Sequence, residues 1–240
     1  MSRGIFITGT DTHVGKSIVA AVIARLAVMS GKNSGVMKPV TSGCTMRDGV
    51  RISDDAELLA YGAGIQTLPP ESTSYLLSAP LAPSVAATKE GVRINLEKIA
   101  ADYETLSAQY DFMVVEGAGG LMVPLAGGLL VADLIRRLDL PVIVVARPGL
   151  GTINHTLLNC LAARQMGITV TGVVISGYPD DPDDAEESAP HLIGSLSGAP
   201  LLGVFPRIDI ADPCHVVDAV VDRIAKEPLT TLLRKELGLV

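Results

Sequence analysis

The segment that most limits what this chain can fold into is a glycine-bounded loop near its beginning, residues 9–17, which reads GTDTHVGKS. A short apolar run rich in branched side chains precedes it at residues 4–8, and an alanine-rich helical pattern follows at residues 18–29. Glycines allow a tight turn in which several backbone N–H groups point into one concavity, and the following helix adds the positive end of its dipole. The pattern predicts a phosphate-binding strand, loop and helix, in which Lys16 reaches the terminal phosphates and Ser17 binds magnesium.

The spacing inside this loop departs from the common phosphate-loop pattern. Four residues usually separate the first glycine from the Gly-Lys pair, whereas five residues stand between Gly9 and Gly15. An ordinary strand-to-helix turn is the alternative interpretation, because Gly-Lys-Ser also occurs by chance. The loop alone therefore indicates only that some phosphate is bound. The ligand and the reaction have to be inferred from the rest of the chain.

Charge and hydropathy exclude two classes of partner. The chain has 240 residues and a net charge of −7, and no run of lysine or arginine offers the basic patch that nucleic-acid binding requires. Nothing basic is offered to an anionic membrane either. The uncharged run at residues 117–132 is shorter than the roughly 20 residues that a membrane span needs. We expect neither a nucleic-acid partner nor a membrane.

Other features favour one cytoplasmic domain that spans residues 1–240. No Pro/Gly/Ser-rich linker or shift in composition divides the chain. Its beginning shows no charged leader followed by an apolar segment and a cleavage site, so no secretory signal is predicted. Cys44, Cys160 and Cys214 have no metal-ligand spacing, and an odd number of cysteines suits a reducing compartment better than a disulfide framework.

Apolar strand patterns alternate with helical patterns along the chain. Beyond the first unit, strands are predicted at residues 36–40, 111–116, 140–146, 169–175 and 201–205. Helices are predicted from residue 54, at residues 94–109, 129–138 and 152–166, and, as one or two surface helices, at residues 218–237. An irregular connection and a mobile acidic loop are predicted at residues 67–83 and 178–188. Strands that are apolar on both faces indicate an α/β fold with a covered parallel sheet, whose ligands collect beyond the carboxyl ends of the strands.

Two lysines and two acids are candidates for a triphosphate site, which needs cations for the phosphates and oxygen ligands for magnesium. Lys16 and Lys38 supply the cations, and Ser17, Asp55 and Glu116 supply the oxygens. Glu116 ends an apolar strand, where an acid either holds magnesium or is a solvated strand end. The glycines that follow it favour the first interpretation, because a turn without side chains lets a ligand approach the backbone.

Two further polar residues keep alternative interpretations. His13 lies inside the loop, either as a general base or, as we favour, with its side chain in solvent. Asn154 lies near the start of a helix, either as a ligand or as a helix cap. No nucleophile elbow or Cys/His pattern supports acyl transfer through an enzyme nucleophile.

Five motifs resemble, in order and spacing, those of the dethiobiotin synthetase family. They are TGTDTHVGKS at residues 8–17, KPVTSG at 38–43, VEGAGG at 115–120, LGTINH at 150–155 and PLLGVFP at 200–206. The resemblance spans nearly the whole chain, and the five-residue spacing inside the loop is that family's own form. It implies a three-layer phosphate-loop NTPase-like α/β fold with a mostly parallel sheet of about seven strands, and a homodimer.

The resemblance also implies an activity, that of a cyclo-ligase that forms C–N bonds in biotin biosynthesis. Carbon dioxide adds to the 7-amino group of 7,8-diaminononanoate to give a carbamate, and ATP with Mg²⁺ phosphorylates it to a carbamic-phosphoric anhydride. The 8-amino group then closes the cyclic urea, with release of ADP and phosphate. Lys16 and Lys38 would neutralise the charge that collects between carbamate and triphosphate, which is catalysis by positioning and electrostatics.

Carried over residue by residue, the resemblance assigns four groups of site residues. The catalytic residues are Lys38, Lys16 and Thr12, and the metal ligands are Ser17, Asp55 and Glu116. The substrate is bound by Thr12, Lys38, Ser42, Gly151, Thr152 and Asn154. The last three receive its distal carboxylate across the dimer interface, since a helix N-terminus favours anions. The nucleotide is bound by Asp11, Thr12, His13, Val14, Gly15, Lys16, Ser17, Ile18, Asp55, Glu116, Gly117, Ala118, Gly119, Ser176, Gly177, Pro206, Arg207 and Ile208.

Two positions depart from the family pattern or leave it ambiguous. Where the family usually has Asn-Asp after the late strand to contact adenine, this chain has Ser176-Gly177. Glycine offers only backbone groups and serine one hydroxyl, so other nucleoside triphosphates remain open beside ATP. Either Asp54 or Asp55 matches the family's metal ligand, and the following Ala56 favours Asp55.

Other phosphate-loop proteins supply the alternatives. Partition and cell-division ATPases are switches that usually carry a second lysine early in the loop and a membrane-binding helix at the C-terminus. Here Asp11, Thr12 and His13 fill the loop, and residues 232–237 are too short and too mixed in charge to anchor well. An amidotransferase of cobalamin synthesis would need a glutaminase part, for which no sequence remains. The two lysines and two acids argue against a non-catalytic binding module.

Overall fold

The computed structural model describes residues 4–240. Its strands are β1 (Gly4–Gly9), β2 (Ser34–Met37), β3 (Val40–Ser42), β4 (Thr45–Arg47), β5 (Val50–Ile52), β6 (Tyr75–Leu77), β7 (Phe112–Gly120), β8 (Pro124–Ala126), β9 (Leu129–Leu130), β10 (Val142–Ala146), β11 (Val170–Tyr178) and β12 (Leu201–Pro206). Its helices are α1 (Lys16–Met29), α2 (Asp54–Ala63), α3 (Pro83–Lys89), α4 (Leu96–Ser107), α5 (Val131–Leu138), α6 (Thr152–Gln165), α7 (Asp184–Leu196), α8 (Pro213–Ile224) and α9 (Pro228–Glu236), with a 3₁₀ turn at Pro70–Ser72. None of these helices within residues 4–240 is long and apolar enough to cross a lipid bilayer.

Six strands form one parallel sheet in the order β12-β11-β10-β1-β7-β2. The parallel sheet was predicted, but the expected count of about seven strands is wrong for the described residues. The predicted strand at residues 36–40 leaves the sheet after Met37, because Pro39 has no N–H for the ladder. The Lys38 N–H donates instead to the Ser72 carbonyl at 2.8 Å. β3 then pairs with β6, inside the segment predicted to be irregular, as a separate two-stranded sheet.

Helices cover both faces of the sheet, which confirms the three-layer α/β fold. Successive side chains of a strand point to opposite faces, and those of β1 accordingly enter different cores. Phe6 packs with apolar residues of α5 and α6 on one face, whereas Ile5 and Ile7 pack with those of α1, α2 and α8 on the other. Every residue of β1 is buried, and the exposed residues of the following loop begin just after its carboxyl end.

The last turn of α2 packs closely against α1. Gly62 of α2 has no side chain where a Cβ would overlap the carbonyl oxygen of Ala21 in α1. Arg25 of α1 donates to the carbonyl oxygens of Gly62 at 3.0 Å and Tyr61 at 3.2 Å. It also pairs with Asp218 of α8 at 3.1 Å. These contacts hold α1, α2 and α8 as one layer.

The acidic segment predicted to be a mobile loop is largely ordered structure. β11 extends to Tyr178, and α7 begins at Asp184. The Asp183 side chain accepts a hydrogen bond from the Glu186 N–H at 2.8 Å, and the Glu186 carboxylate accepts one from the Asp183 N–H at 3.1 Å. This reciprocal pair is a capping box, and it starts a helix that the acidic composition concealed. The prediction of one or two helices near the end of the chain is confirmed by α8 and α9.

Candidate active site

Four side chains from four elements meet beside the loop at residues 9–17. Lys38 follows β2, Glu116 lies in β7, and Ser17 and Asp55 lie in the first turns of α1 and α2. The Lys38 Nζ is 2.6 Å from Glu116 Oε1 and 2.8 Å from Asp55 Oδ2. The Ser17 hydroxyl shares its one hydrogen between Asp55 Oδ1 at 2.9 Å and Glu116 Oε1 at 3.0 Å. These four residues, which we call the Lys38 cluster, were all predicted.

Burial and ion pairing set the charges in the Lys38 cluster. The side chains of Lys38 and Glu116 are only 5% and 1% exposed. Burial disfavours the Lys38 ammonium, but the Glu116 and Asp55 carboxylates together outweigh it and raise the pKa of Lys38. Burial raises the pKa of Glu116 although Lys38 opposes this effect. Partial burial would also raise the pKa of Asp55, but Lys38 and the Ser17 hydrogen bond outweigh it, so that this pKa is lowered.

Lys16 is held at the centre of the loop. Its Nζ donates to the Asp11 carbonyl at 2.9 Å. Burial lowers the pKa of Lys16, Glu116 opposes this effect, and Lys38 adds to it. Gly15 is the N-cap of α1 with φ 87°, and α1 has neither a side-chain cap nor an acid in its first turn. No capping side chain therefore occupies the free N–H groups at the start of α1. These N–H groups and the positive end of the helix dipole can bind an anion.

The remaining loop residues divide between core and solvent. Val14 is buried in the apolar core that includes α1, and Ile18, in the first turn of α1, packs against that core. Asp11, Thr12 and His13 are exposed. His13 has φ 56°, and its exposure agrees with the interpretation that its side chain lies in solvent.

The glycines after Glu116 lie where a side chain would collide. A Cβ on Gly117 would lie 2.7 Å from the Phe6 ring, and Gly119 has φ 71°. A Cβ on Gly119 would also come within 3.8 Å of the Thr12 methyl group. The run that includes Ala118 thus passes beside Thr12, so these predicted residues share one side of the site.

The structure changes the interpretation of Ser176. Its hydroxyl lies against the backbone of Gly15, where a Cβ on Gly15 would overlap it, and Ser176 is only 9% exposed. Gly177 has φ 76° and open space around it. The Arg207 N–H donates to the Tyr178 carbonyl at 2.7 Å, which holds the segment of Pro206, Arg207 and Ile208 against the end of β11. The one hydroxyl at this position therefore contacts the phosphate loop.

A second group of predicted residues lies at the start of α6. Gly151 is the N-cap with φ 90°, and α6 has no side-chain cap and no acid in its first turn. The alternative that Asn154 is the cap is wrong, because Asn154 lies inside the helix and is exposed. Thr152 is 2% exposed, and its Oγ1 has no hydrogen-bond partner among residues 4–240. The contacts of the Lys38 cluster do not include these residues.

The donor atoms of the Lys38 cluster fit a magnesium ion. Ser17, Asp55 and Glu116 offer hydroxyl and carboxylate oxygens, the hard ligands that Mg²⁺ prefers. Glu116 Oε2 is buried and has no hydrogen-bond partner in the described part of the chain. That part holds no group of three or more His, Cys, Asp or Glu side chains arranged for a metal. Few protein ligands are typical of magnesium, which keeps several waters and binds substrate phosphates.

The two neighbouring acids of α2 have different surroundings. Asp54 contacts the Thr45 hydroxyl at 2.5 Å and lies 3.5 Å from Arg47, in the hairpin of β4 and β5. Asp55 faces Lys38 and Ser17. Asp55, as favoured from the sequence, is therefore the acid that belongs to the Lys38 cluster.

Comparison with known proteins identifies the family of this chain. A family described as an AAA domain matches residues 3–214. The ATP-dependent dethiobiotin synthetase of Bacillus licheniformis is 40% identical over 222 residues, which cover 92% of this chain and 93% of that protein. That of Thermodesulfovibrio yellowstonii is 38% identical and covers 97% of this chain and 100% of its own length. The chain belongs to the dethiobiotin synthetase family. It is accordingly an enzyme, a ligase that forms C–N bonds.

Solved structures share the fold at low sequence identity. A ParA family ATPase from Chlorobium tepidum gives a TM-score of 0.56 at 15% identity, covering 98% of this chain and 96% of that one. The septum site-determining protein MinD from Pyrococcus horikoshii, complexed with Mg-ADP, gives 0.54 at 18% identity, with 100% and 94% covered. At such low sequence identity, the structural similarity establishes the fold and nothing about activity. The switch-ATPase alternative is not favoured, because the relatives near 40% identity are dethiobiotin synthetases.

Sequence analysis missed a buried hydroxyl pair beside the cluster in this member of the dethiobiotin synthetase family. Thr41 Oγ1 and Ser53 Oγ are 2.8 Å apart, and Ser53 is the N-cap of α2. A signal was present, since serine just before two acids and an apolar run is a typical helix start. Nothing in the sequence alone pairs Ser53 with Thr41, because twelve positions and a hairpin separate them.

Proposed function

We propose that this chain synthesises dethiobiotin from 7,8-diaminononanoate and CO₂, with ATP and Mg²⁺, in the cytoplasm and as one domain of residues 1–240. The observation that carries the proposal is its similarity to dethiobiotin synthetases over more than nine-tenths of both chains. The contacts among Ser17, Lys38, Asp55 and Glu116 beside the phosphate loop support it.

The reaction has three steps. The 7-amino nitrogen attacks the carbon of CO₂ and loses a proton, which gives a carbamate. A carbamate oxygen attacks the γ-phosphorus of ATP, ADP leaves, and a carbamic-phosphoric anhydride forms. The 8-amino nitrogen then attacks the carbonyl carbon, phosphate leaves, a proton is lost, and the cyclic urea closes.

In these three reaction steps, Lys38 and Lys16 act as cations that stabilise negative charge. The raised pKa of Lys38 keeps its ammonium protonated between Glu116 and Asp55. Lys16 lies in the loop, where its Nζ is held by the Asp11 carbonyl. Fixed charges in a site with little water stabilise developing negative charge without reorganising during the reaction. Thr12, exposed beside Gly119, would bind on the diamine side, and half-buried Ser42 of β3 would do the same.

The nucleotide and the metal would share the loop side of the site. Ser17, Asp55 and Glu116 would hold Mg²⁺, which when bound neutralises charge on the phosphates. Residues 11–18, Gly117, Ala118 and Gly119 would line the nucleotide. Ser176, Gly177, Pro206, Arg207 and Ile208 would lie toward the base. We propose a weak preference among nucleoside triphosphates, because the Ser176 hydroxyl lies against Gly15 and Gly177 has no side chain.

One assay tests the reaction. Purified protein is incubated with diaminononanoate, bicarbonate, Mg²⁺ and ATP, and dethiobiotin and ADP are quantified by mass spectrometry. We expect equal amounts of both products, and ADP formation that depends on the diamine. The assay is repeated with GTP and CTP. If no triphosphate yields dethiobiotin, the proposal fails, and ADP release without the diamine would favour a switch ATPase.

An exposed apolar face of α6 supports a homodimer. Leu158 and Leu161 are 55% and 49% exposed, and Leu150, just before the helix, is 86% exposed. Residues three and four positions apart share a helix face, so Asn154 lies on the same face as Leu158 and Leu161. We propose that a second copy covers this face, and that Gly151, Thr152 and Asn154 of one protomer bind the substrate carboxylate across the interface.

Replacing Leu158 and Leu161 together by aspartate is expected to convert the dimer to monomers, because it places charge at the centre of an apolar interface. Since the carboxylate subsite would then be lost, kcat/KM for the diamine should fall about 10-fold, as for the loss of a charge-assisted contact. Sedimentation velocity and steady-state kinetics measure the two effects.

The matched control is Leu196→Asp, a similarly exposed leucine at the end of α7. It should leave both the oligomeric state and the kinetics unchanged. A Leu158/Leu161 variant that sediments as wild type would contradict the proposed interface.

A further inference from the structure

Thr41 and Ser53 join β3 to the first turn of α2 through a buried hydrogen bond. Their hydroxyl oxygens are 2.8 Å apart, and the two residues are 6% and 4% exposed. The Ser53 Oγ also accepts from the Ala56 N–H at 3.1 Å, as the N-cap of α2. β3 is itself held by parallel pairing with β6, where Thr41 stands opposite Leu76. The hydroxyl pair thus anchors the start of α2 to a fixed strand.

Asp55 depends on this anchor more than its own packing suggests. It lies two residues after Ser53, and its two carboxylate oxygens contact Ser17 and Lys38. Yet the Asp55 side chain is 42% exposed, so packing against other side chains does not by itself fix the carboxylate. The backbone of the first turn of α2 therefore determines where the carboxylate can reach.

The ion pairs and hydrogen bonds of the neighbouring acids Asp54 and Glu57 lie at the surface. Asp54 meets Thr45 and Arg47, and Arg47 also pairs with Glu57 at 3.0 Å. The side chains of Arg47 and Glu57 are 52% and 43% exposed. Solvent screens such pairs and they contribute little, whereas a hydrogen bond in a buried, low-dielectric position is stronger and more directional. The Thr41 hydroxyl supplies the buried hydrogen bond that links β3 to the start of α2.

We propose that Thr41 is a positioning residue, whose hydroxyl acts through Ser53 to hold the first turn of α2 so that Asp55 reaches the magnesium ion. The inference rests on the proposed function, in which Asp55 is a metal ligand. Residues that orient a metal ligand typically change metal affinity when they are replaced, although they touch neither metal nor substrate.

The test replaces Thr41 by valine, which removes the hydroxyl and keeps the side-chain volume. Binding of a non-hydrolysable ATP analogue is measured by calorimetry over a series of free Mg²⁺ concentrations. The Mg²⁺ concentration for half-maximal binding should rise about 10-fold, the lower end for the loss of an orienting partner. Thr41→Ser, which keeps the hydroxyl, should restore the wild-type Mg²⁺ requirement.

Thr230→Val is the matched control. The buried hydroxyl of Thr230 in α9 donates to the carbonyl of Ile224 in α8 at 2.7 Å and has no contact with the Lys38 cluster. Thr230→Val should lower the melting temperature without changing the Mg²⁺ requirement.

Asp55→Asn should raise the Mg²⁺ requirement by itself, and adding Thr41→Val to Asp55→Asn should raise it no further. An unchanged Mg²⁺ requirement in Thr41→Val, or an equal increase in both backgrounds, overturns the role of Thr41. An unchanged requirement in Asp55→Asn overturns both this role and the proposed metal site.

Discussion

Replacing Lys38 by methionine is expected to lower kcat for dethiobiotin formation at least about 10³-fold, the upper range for removing one preorganised charge from a reaction site. The Lys38 ammonium lies between Glu116 and Asp55, so its loss leaves two carboxylates facing the carbamate and the triphosphate. Lys16 remains in the loop, so an ATP analogue should still bind measurably. Single-turnover product formation and calorimetric binding separate the two effects.

The same substitution should also destabilise the fold. Glu116 is 1% exposed, and removing the partner of a buried ion pair costs about 3 kcal/mol of unfolding free energy. The double variant Lys38→Met with Glu116→Gln should recover much of that stability in urea unfolding but none of the turnover. Lys98→Met is the control, because Lys98 pairs with Asp102 at the surface. Near-normal turnover in Lys38→Met would remove Lys38 from the mechanism.

Much of the fold could be predicted because it depends on local patterns. Strands such as β1 and β10 are continuous apolar runs, and their alternation with helices specifies a covered parallel sheet. The Lys38 cluster follows from the same reasoning, since loops at the carboxyl edge of a parallel sheet meet. Glu116 was predicted from the end of an apolar strand, and Lys38 and Asp55 as the cation and the oxygen ligand that a triphosphate site with magnesium needs.

The errors came from features that a local pattern does not contain. Residues 36–40 were predicted as one strand although Lys38 interrupts the apolar run, but the missing N–H of Pro39 and the bond from the Lys38 N–H to Ser72 take the chain out of the sheet. The capping box of α7 was hidden in an acidic segment. Thr41 and Ser53 are ordinary residues in the sequence, and only the docking of α2 on β3 makes them partners. In each case the deciding contact is made by a residue distant in sequence or by a reciprocal cap.

Replacing Gly15 by alanine is expected to weaken binding of an ATP analogue by about 100-fold or more, equivalent to about 3 kcal/mol. Gly15 has φ 87°, a left-handed conformation that costs a residue with a Cβ roughly 1–2 kcal/mol. Its Cβ would also overlap the Ser176 hydroxyl and lie 3.0 Å from the Ser176 Cβ. The loop must therefore shift away from β11, which moves the N–H groups that would surround the phosphates. Calorimetry with the analogue measures the loss.

Two variants separate backbone strain from the collision with Ser176. Gly31 has φ 78°, and a Cβ added there would meet no atom within 4 Å, so Gly31→Ala carries the strain alone and should leave nucleotide binding unchanged. Adding Ser176→Gly to Gly15→Ala removes the overlapping side chain and should recover part of the affinity, leaving the deficit due to the left-handed backbone. If Ser176→Gly recovers nothing, Ser176 does not support the loop, and its hydroxyl would again be open to contact the base.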